Sequence, residues 1–251
     1  MNNLVIVVSV VQDNTTHSDL YNFAVSKAKV YAEKYQADFV CVDDTSAFPD
    51  YSPTWQRFVM FDAKYAKYDK ILYVDNDLVL TNFAPNIFEL MDSYDNDVFA
   101  SIDYEHIPAR KFTGYFNAGL LAFKRSWLDL WDQQSISHNM SKWKNKSHFD
   151  QCCLNDMVKQ TRDSYVNLGR KWNSMSSKVF PNDYTYGIHY IHYHKARFNV
   201  KEIITFEQDM SKVTPQRNET VMFFSEDWKK YHFTDILKLE EDFDISRLKA
   251  L

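Results

Sequence analysis

Glycine is scarce in this sequence. Only 4 of the 251 residues are glycine, against the roughly 7% that is usual in proteins. Glycine is the residue that tolerates a positive φ or a very close approach by another group. Each of the four is therefore expected to mark a position where the backbone needs one of these. They are Gly114, Gly119, Gly169 and Gly187.

Cysteine and long apolar runs are also in short supply. The 3 cysteines, Cys41 and the adjacent Cys152 and Cys153, form neither a disulfide framework nor a zinc-ligand spacing, which favours a reducing compartment. The apolar run at residues 4–11 is too short to span a membrane, and no charged leader precedes it. We therefore expect a cytoplasmic protein without a membrane span.

Basic blocks are missing too. The formal net charge is -5, and without a cluster of lysine and arginine, binding to nucleic acid is not expected. The remaining composition, 45% hydrophobic and 25% charged, is typical of a globular protein. A chain of this length fits one large α/β domain with a sizeable core.

The order of the predicted elements indicates a parallel sheet covered by helices. Apolar, β-branched residues predict strands at 4–11, 37–42 and 71–74, and helical periodicity predicts helices at 18–35 and 55–68. Such a β-α-β-α-β order forms right-handed crossovers. Further helices are predicted at 84–94, 126–134 and 148–158, and further strands at 97–103, 115–125 and 185–194. The predicted catalytic domain covers residues 1–205, and a charged helical extension at 206–251 packs on it or on a partner.

Two carboxylates follow the third predicted strand in "ILYVDNDLVL", residues 71–80. In an extended segment, Asp75 and Asp77 point the same way, beyond the strand's carboxyl end, where open α/β sheets bind ligands. Their hard oxygen atoms suit Mg²⁺ or Mn²⁺, which typically also binds phosphates of a substrate. Two alternatives stay open at this point. The acids could be solvated in a turn, or Asp75 could attack phosphorus, as the D-x-D-x-[TV] pattern of haloacid-dehalogenase-like phosphatases would predict.

Small and polar residues interrupt a later apolar strand and open a later helix. Asn117, Ala118 and Gly119 lie within "YFNAGLLAF", where small residues let a ligand approach the backbone, or where the strand simply bulges. Asp150 and Gln151 lie at a helix start, where they could serve a site or cap the helix.

Three histidines and two cations gather near residue 190. His189, His192 and His194 precede Lys195 and Arg197, and such a cluster suggests contacts with a metal and with phosphate. In a strand, His192 and His194 would share one face.

Four of these motifs, in this order and at this approximate spacing, resemble the retaining family 8 glycosyltransferases. The motifs are Asp75-x-Asp77, Asn117-Ala118-Gly119, Asp150-Gln151 and His192-Tyr193, and the resemblance extends over residues 4–198. It implies a GT-A fold, an α/β structure with a mixed, mostly parallel sheet flanked by helices. It also implies a nucleotide-sugar donor, commonly UDP-linked, a glycan or glycoconjugate acceptor, and Mn²⁺ or Mg²⁺.

The resemblance also implies roles for individual residues. The metal ligands would be Asp75, Asp77 and His192. The residues at the reacting sugar would be Asp103, Asp150 and Gln151, with Gln151 near the anomeric carbon. The residues that bind the donor would be Ser9, Val10, Arg57, Asn76, Asn117, Gly119, Lys195 and Arg197. Either Lys195 or Arg197 would stabilise the departing phosphate.

The sequence leaves open the stereochemistry of the reaction and also whether the protein turns over a substrate at all. No strong nucleophile is evident near Gln151, which favours a front-face retaining displacement over a covalent intermediate. An inverting enzyme would need a general base, for which Asp103 or Asp150 are candidates. A sugar- or nucleotide-binding module without turnover would keep the same motifs.

Overall fold

The computed structural model describes residues 2–10, 17–102, 116–144, 149–161, 165–169, 171–174, 185–190, 195, 198–210 and 222–223. The strands are β1 (Asn3–Val8), β2 (Asp38–Val42), β3 (Lys70–Asp75), β4 (Leu78–Leu80), β5 (Val98–Ile102), β6 (Phe116–Lys124), β7 (Val166–Asn167), β8 (Gly187–His189) and β9 (Met222–Phe223). The α-helices are α1 (Ser18–Lys34), α2 (Ile87–Asp92), α3 (Arg125–Leu128), α4 (Gln133–Trp143), α5 (Phe149–Thr161) and α6 (Val200–Met210). Two 3₁₀ helices span Pro53–Phe61 and Ala63–Tyr65.

A mixed, mostly parallel sheet forms the centre of the protein. Its strand order is β2-β1-β3-β6-β5-β7-β9. The strands β1, β2, β3, β5 and β7 run in one direction, whereas β6 and β9 run in the other. The α/β fold class expected from the sequence is therefore confirmed.

Both faces of the sheet are covered, as in other sheets with parallel strands. Alternate residues of β1 enter different cores: Leu4 and Ile6 pack with the 3₁₀ helix at Pro53–Phe61 and with α5, whereas Val5 and Val7 pack with α1 and α2. This is why the sequence of β1 is apolar throughout. Burial on both sides fixes the sheet and leaves the strand ends as the place for polar chemistry.

A second, two-stranded sheet lies close to the end of β3. Strands β4 and β8 pair antiparallel, with Leu78 opposite His189 and Leu80 opposite Gly187. Because β4 begins directly after Asp77, this pairing carries His189 to the end of β3 from more than a hundred residues away. The small sheet therefore determines which histidine meets the two aspartates.

The segment predicted as one helix at 55–68 forms two 3₁₀ helices instead. The backbone leaves the helical region at Asp62, whose φ of -65° and ψ of 136° are extended. The Asp62 side chain then accepts a hydrogen bond from the Lys64 backbone N–H, which caps the next helix. An aspartate that caps a new helix within the predicted one explains the break.

The helix predicted at 126–134 is interrupted for a similar reason. Helix α3 ends at Leu128, and Asp132 caps α4 by accepting a hydrogen bond of 2.7 Å from the Ser135 N–H. Of residues 185–190 in the predicted late strand, only Gly187–His189 form a strand, and residues 191–194 lie outside the described part of the chain.

The predicted division of the chain stays a prediction. Residue 205 falls within α6, and β9 pairs with β7, while residues 211–221 and 224–251 lie outside the described part of the chain. Among the helices that are described, none is long and apolar enough to cross a membrane.

Candidate active site

The candidate site lies where β1 and β3 end side by side. The two strands are parallel and place Val8 beside Asp75, so Ser9 and Val10 follow next to the Asp75-Asn76-Asp77 segment. A cleft of about 390 Å³ opens at this edge of the sheet. It is lined by Val8, Val10, Tyr21, Ser52, Pro53, Thr54, Arg57, Tyr73, Asp75, Asn76, Asp77 and Lys195.

Asp75, Asp77 and His189 form a cluster suited to a metal ion. One ligand atom from each residue lies within 4.8 Å of the others. The Nε2 atom of His189 is 3.1 Å from Asp77 Oδ1 and 3.8 Å from Asp75 Oδ2. Two carboxylate oxygens and an imidazole nitrogen suit a divalent first-row metal or Mg²⁺. The donor set therefore fits the metal site that the sequence predicts.

The histidine of this cluster is not the one that the resemblance implied. His192 lies outside the described residues, as do Asp103, His194 and Arg197. The assignment of His192 as a ligand therefore stays a prediction, and His189 is a candidate ligand that sequence reasoning left unassigned. Its signals in the sequence are the cluster of three histidines and two cations to which it belongs and the scarce Gly187 two residues earlier, at the start of β8.

Two cations or potential cations surround Asp77. Lys195 Nζ lies 2.7 Å from Asp77 Oδ2, on the opposite oxygen from His189. Burial alone would raise the pKa of Asp77, but His189 and Lys195 outweigh it and hold the pKa below its usual range. Burial would lower the pKa of Lys195, yet its contact with Asp77 raises that pKa instead. Asp77 is therefore an ionised carboxylate in a charged, hydrogen-bonded site.

Asp75 is in a different environment. Burial raises its pKa, Arg57 partly counteracts this effect, and the neighbouring Asp77 adds to the rise. Arg57 Nη2 donates to both Asp75 oxygens, at 3.1 and 3.3 Å, and the Tyr73 hydroxyl donates to Oδ1. Like charges this close disfavour double ionisation, so a cation between Asp75 and Asp77 would stabilise both carboxylates.

Arg57 connects the end of β3 with the start of α5. Its Nε lies 2.9 Å from Asp150 Oδ2 and 3.0 Å from the Thr54 carbonyl oxygen, and its Nη1 donates to the Ala118 carbonyl at 2.8 Å. Buried opposite charges raise the pKa of Arg57 although burial itself would lower it. Arg57 lines the cleft as predicted for a donor-binding residue, but the contacts it makes here are with Asp75 and Asp150.

The Asn117-Ala118-Gly119 segment of β6 is irregular. Ala100 of β5 pairs with Leu121, and Ser101 with Asn117, so the register shifts between them. This bulge leaves the Ala118 carbonyl for Arg57 and the Ala118 N–H for Gln151 Oε1, at 3.0 Å. The bulge expected from the sequence is therefore confirmed, and it frees backbone groups that hold Arg57 and Gln151. The approach of a ligand to this segment stays a prediction.

Gly119 is required by a close approach. A Cβ atom at this position would lie 2.2 Å from Cε1 and 2.7 Å from Nδ1 of His189. The expectation that a scarce glycine marks a tight contact is confirmed here, and also at Gly169, whose φ is 73°.

Ser9 and Asn76 lie at the end of the cleft near β1. The Asn76 amide donates to Ser9 Oγ at 3.4 Å, and Val10 lines the cleft beside them. Tyr21 of α1 completes this part of the cleft, and its hydroxyl lies 3.4 Å from Lys195 Nζ. Tyr21, Tyr73 and Asn173 are site residues that carry no motif in the sequence.

Solved structures share this fold. A glycosyltransferase involved in the glycosylation of the major capsid of PBCV-1 matches 85% of this chain and 100% of its own, with a TM-score of 0.58 and 12% identity. Galactosyltransferase LgtC, solved with donor and acceptor sugar analogues, matches 86% and 98%, with a TM-score of 0.52 and 17% identity. The glycosyltransferase GlyE of Streptococcus pneumoniae TIGR4 matches 82% and 60%, with a TM-score of 0.55 and 17% identity. The fold is therefore the GT-A fold of glycosyltransferases.

The sequence defines the family. Residues 4–198 match the sequence model of glycosyl transferase family 8. Because this match covers most of the chain, the protein belongs to that family and is a glycosyltransferase. Among curated proteins, no sequence matches significantly. Membership of this family excludes the alternative of a haloacid-dehalogenase-like phosphatase. It implies a nucleotide-sugar donor and a glycan acceptor.

Proposed function

We propose that this protein is a divalent-metal-dependent, retaining glycosyltransferase that moves a sugar from a UDP-sugar to a hydroxyl group of a glycan or glycoconjugate. The observation that carries the proposal is the Asp75, Asp77 and His189 cluster at the mouth of the cleft. Asp75, Asp77 and His189 would hold Mn²⁺ or Mg²⁺ there, which would supply positive charge to the diphosphate leaving group.

The cleft offers separate environments for the parts of the donor. Val10, Ser9 and Tyr21 provide a mixed apolar and polar surface for the nucleoside near the end of β1. Lys195 also lines the cleft, with its Nζ 2.7 Å from Asp77 Oδ2. Its ammonium group would donate to the diphosphate, which supports Lys195 rather than Arg197 as the cation at the leaving group.

The contacts of α5 support retention. Asp150 is ion-paired with the buried Arg57 at 2.9 Å, so its carboxylate is positioned to orient a sugar hydroxyl rather than to deprotonate an acceptor. Gln151, the next residue, is fixed by the Ala118 N–H and carries no charge to attack the anomeric carbon. The inverting alternative would need a different base, and Asp103 lies outside the described residues. Proton NMR of the first-formed product distinguishes the anomers: the donor's configuration supports retention, and the opposite configuration the inverting alternative.

We also propose a cytoplasmic location for the enzyme. None of Cys41, Cys152 and Cys153 forms a disulfide bond, which is usual for proteins of reducing compartments. Fractionation of cells that express the tagged protein would test this location, and recovery with a membrane or secreted fraction would contradict it.

Calorimetric titration with a panel of UDP-sugars, with and without Mn²⁺, tests the metal-dependent function. Asp77→Asn removes one charge with little change in shape, and we expect it to abolish Mn²⁺-dependent donor binding. Asp129→Asn is the matched control, because Asp129 is exposed on the surface and contacts only Arg125 in the ion pair observed. Equal donor binding by wild type and Asp77→Asn, with and without Mn²⁺, would contradict the proposal.

A further inference from the structure

A chain of hydrogen bonds runs behind His189 through two asparagines. The Gly119 backbone N–H donates to Asn117 Oδ1 at 2.8 Å, and Asn173 Nδ2 donates to the same oxygen at 2.9 Å. The other end of the Asn173 amide lies 2.9 Å from His189 Nδ1. Asn117, Asn173 and His189 are all buried, so the polar atoms of this relay satisfy one another away from water.

The backbone fixes the direction of every bond in this relay. A backbone N–H can only donate, so the Asn117 atom that faces Gly119 must be its oxygen. An oxygen can only accept here, so the Asn173 atom that faces Asn117 must be its NH₂ group. The remaining Asn173 atom, which faces His189, is then an oxygen and must accept a hydrogen bond from Nδ1–H.

The consequence for His189 is a single tautomer. A neutral imidazole that carries its proton on Nδ1 has its lone pair on Nε2. That atom faces Asp77 at 3.1 Å and Asp75 at 3.8 Å. The lone pair is therefore directed into the carboxylate cluster, where a cation would have to lie to satisfy three electron-rich atoms at once.

The backbone holds Asn173 in this position. Segment 171–174 lies beside β8: the Ser174 N–H donates to the Gly187 carbonyl and the His189 N–H to the Ser174 carbonyl, each at 2.9 Å. A Cβ atom at Gly187 would lie 2.2 Å from the Trp172 carbonyl oxygen, so the glycine permits this approach. Asn173 and His189 thus lie in two neighbouring backbone segments that these hydrogen bonds hold together.

We propose that Asn173 is a positioning residue that fixes the Nδ1–H tautomer of His189 and so presents Nε2 to a divalent cation. The proposal rests on the metal site of the proposed function. In this role Asn173 makes no contact with substrate. The Gly119 N–H and Asn117 determine the tautomer because they fix which end of the Asn173 amide faces His189.

The tautomer can be measured directly in the wild-type protein. Long-range ¹H–¹⁵N correlation spectra distinguish Nδ1–H from Nε2–H in a neutral ring, and loss of one signal set in His189→Gln assigns the residue. At a pH where His189 is neutral, without metal, we expect Nδ1 to carry the proton. A neutral His189 with its proton on Nε2 would overturn the proposal without any Asn173 variant.

Two substitutions separate positioning from packing. Asn173→Leu keeps the volume but removes the acceptor, and we expect Mn²⁺ affinity by calorimetry to fall about 10- to 100-fold. Asn173→Asp keeps an oxygen for Nδ1–H but loses the donor to Asn117, and we expect wild-type affinity or better. Asn139→Leu is the matched control, because Asn139 is a buried asparagine of α4 bonded to Ser135 and Gln160.

The outcomes distinguish this inference from the proposed function. If wild type binds Mn²⁺ and Asn173→Leu binds it equally well, the role of Asn173 is refuted and the metal site stands. If Asn173→Asp loses as much affinity as Asn173→Leu, the residue acts by packing and the positioning role is refuted. If wild type shows the Nδ1–H tautomer but no Mn²⁺ binding, the proposed metal dependence fails, and with it the purpose assigned to the relay.

Discussion

The sharpest test of the site geometry is the addition of one methyl group at Gly119. In Gly119→Ala, the new Cβ would lie 2.2 Å from His189 Cε1, whereas ordinary contacts begin at 3.4 Å. The His189 ring would therefore have to move by about 1.2 Å. Its Nδ1 lies 2.9 Å from Asn173 Oδ1 and its Nε2 lies 3.1 Å from Asp77 Oδ1, and such a shift would break at least one of these polar contacts.

We expect Gly119→Ala to destabilise the folded protein in two ways. Overpacking of a buried site typically destabilises a protein by about 1–3 kcal/mol, and a buried polar group left without a partner costs about 1–3 kcal/mol. We therefore expect the urea unfolding midpoint of the metal-free protein to fall. Because His189 would no longer be aligned with the two aspartates, we also expect a loss of about 10- to 100-fold in Mn²⁺ affinity by calorimetry.

Gly169→Ala is the control for this experiment. Gly169 has a φ of 73°, so alanine there costs about 1–2 kcal/mol of backbone strain, but Gly169 does not contact the carboxylate cluster. We expect reduced stability with wild-type Mn²⁺ affinity. If Gly119→Ala showed the wild-type unfolding midpoint and the wild-type affinity, the reasoning about the His189 position would be refuted.

Three further predictions concern the charged residues of the site. We expect His189→Ala to reduce Mn²⁺ affinity in calorimetry more than His192→Ala does; the reverse order would restore the role implied for His192. Arg57→Met would leave the carboxylates of Asp75 and Asp150 without their cation. We therefore expect urea unfolding to show that the free energy of unfolding falls by about 3–5 kcal/mol. A fall below about 1 kcal/mol would contradict the importance of the two ion pairs of Arg57. The folded-state pKa of Asp77 lies below its ordinary value of 3.8, so its ionisation contributes stability that is present above pH 3.8 and lost as the pH falls through the folded value. The metal-free unfolding free energy of wild type should therefore fall more steeply between pH 4 and pH 2 than that of Asp77→Asn, and parallel curves would contradict the shift.

The sequence predicts well those parts of the site that depend on local pattern. The apolar runs of β1 and β3 are sufficient to place Asp75 and Asp77 together at the carboxyl end of a strand. Burial on two faces and the two-residue period of a strand can both be recognised from consecutive residues. The same is true of Gly119, because a glycine in an apolar strand indicates close approach.

The third member of the cluster depends on long-range pairing. If residues 189–194 were extended, as the sequence predicts, His189 would lie on one face and His192 and His194 on the other. Which face meets the aspartates is determined by the β4–β8 register, in which His189 lies opposite Leu78. Strands of three residues carry too little pattern to predict that register, and Asn173 reaches the site through a segment with no motif at all.

The ion pair between Lys195 and Asp77 has a consequence for ion selectivity. A tethered ammonium 2.7 Å from the carboxylate is a resident monovalent cation whose effective concentration is of millimolar order or higher. Sodium or potassium that displaced it would exchange one unit charge for another and gain no net attraction. A divalent ion brings a second charge to the same oxygens and also releases the lysine to meet an incoming anion. A metal ion at this site would therefore be selected by its valence, with the Lys195 side chain as the competing cation.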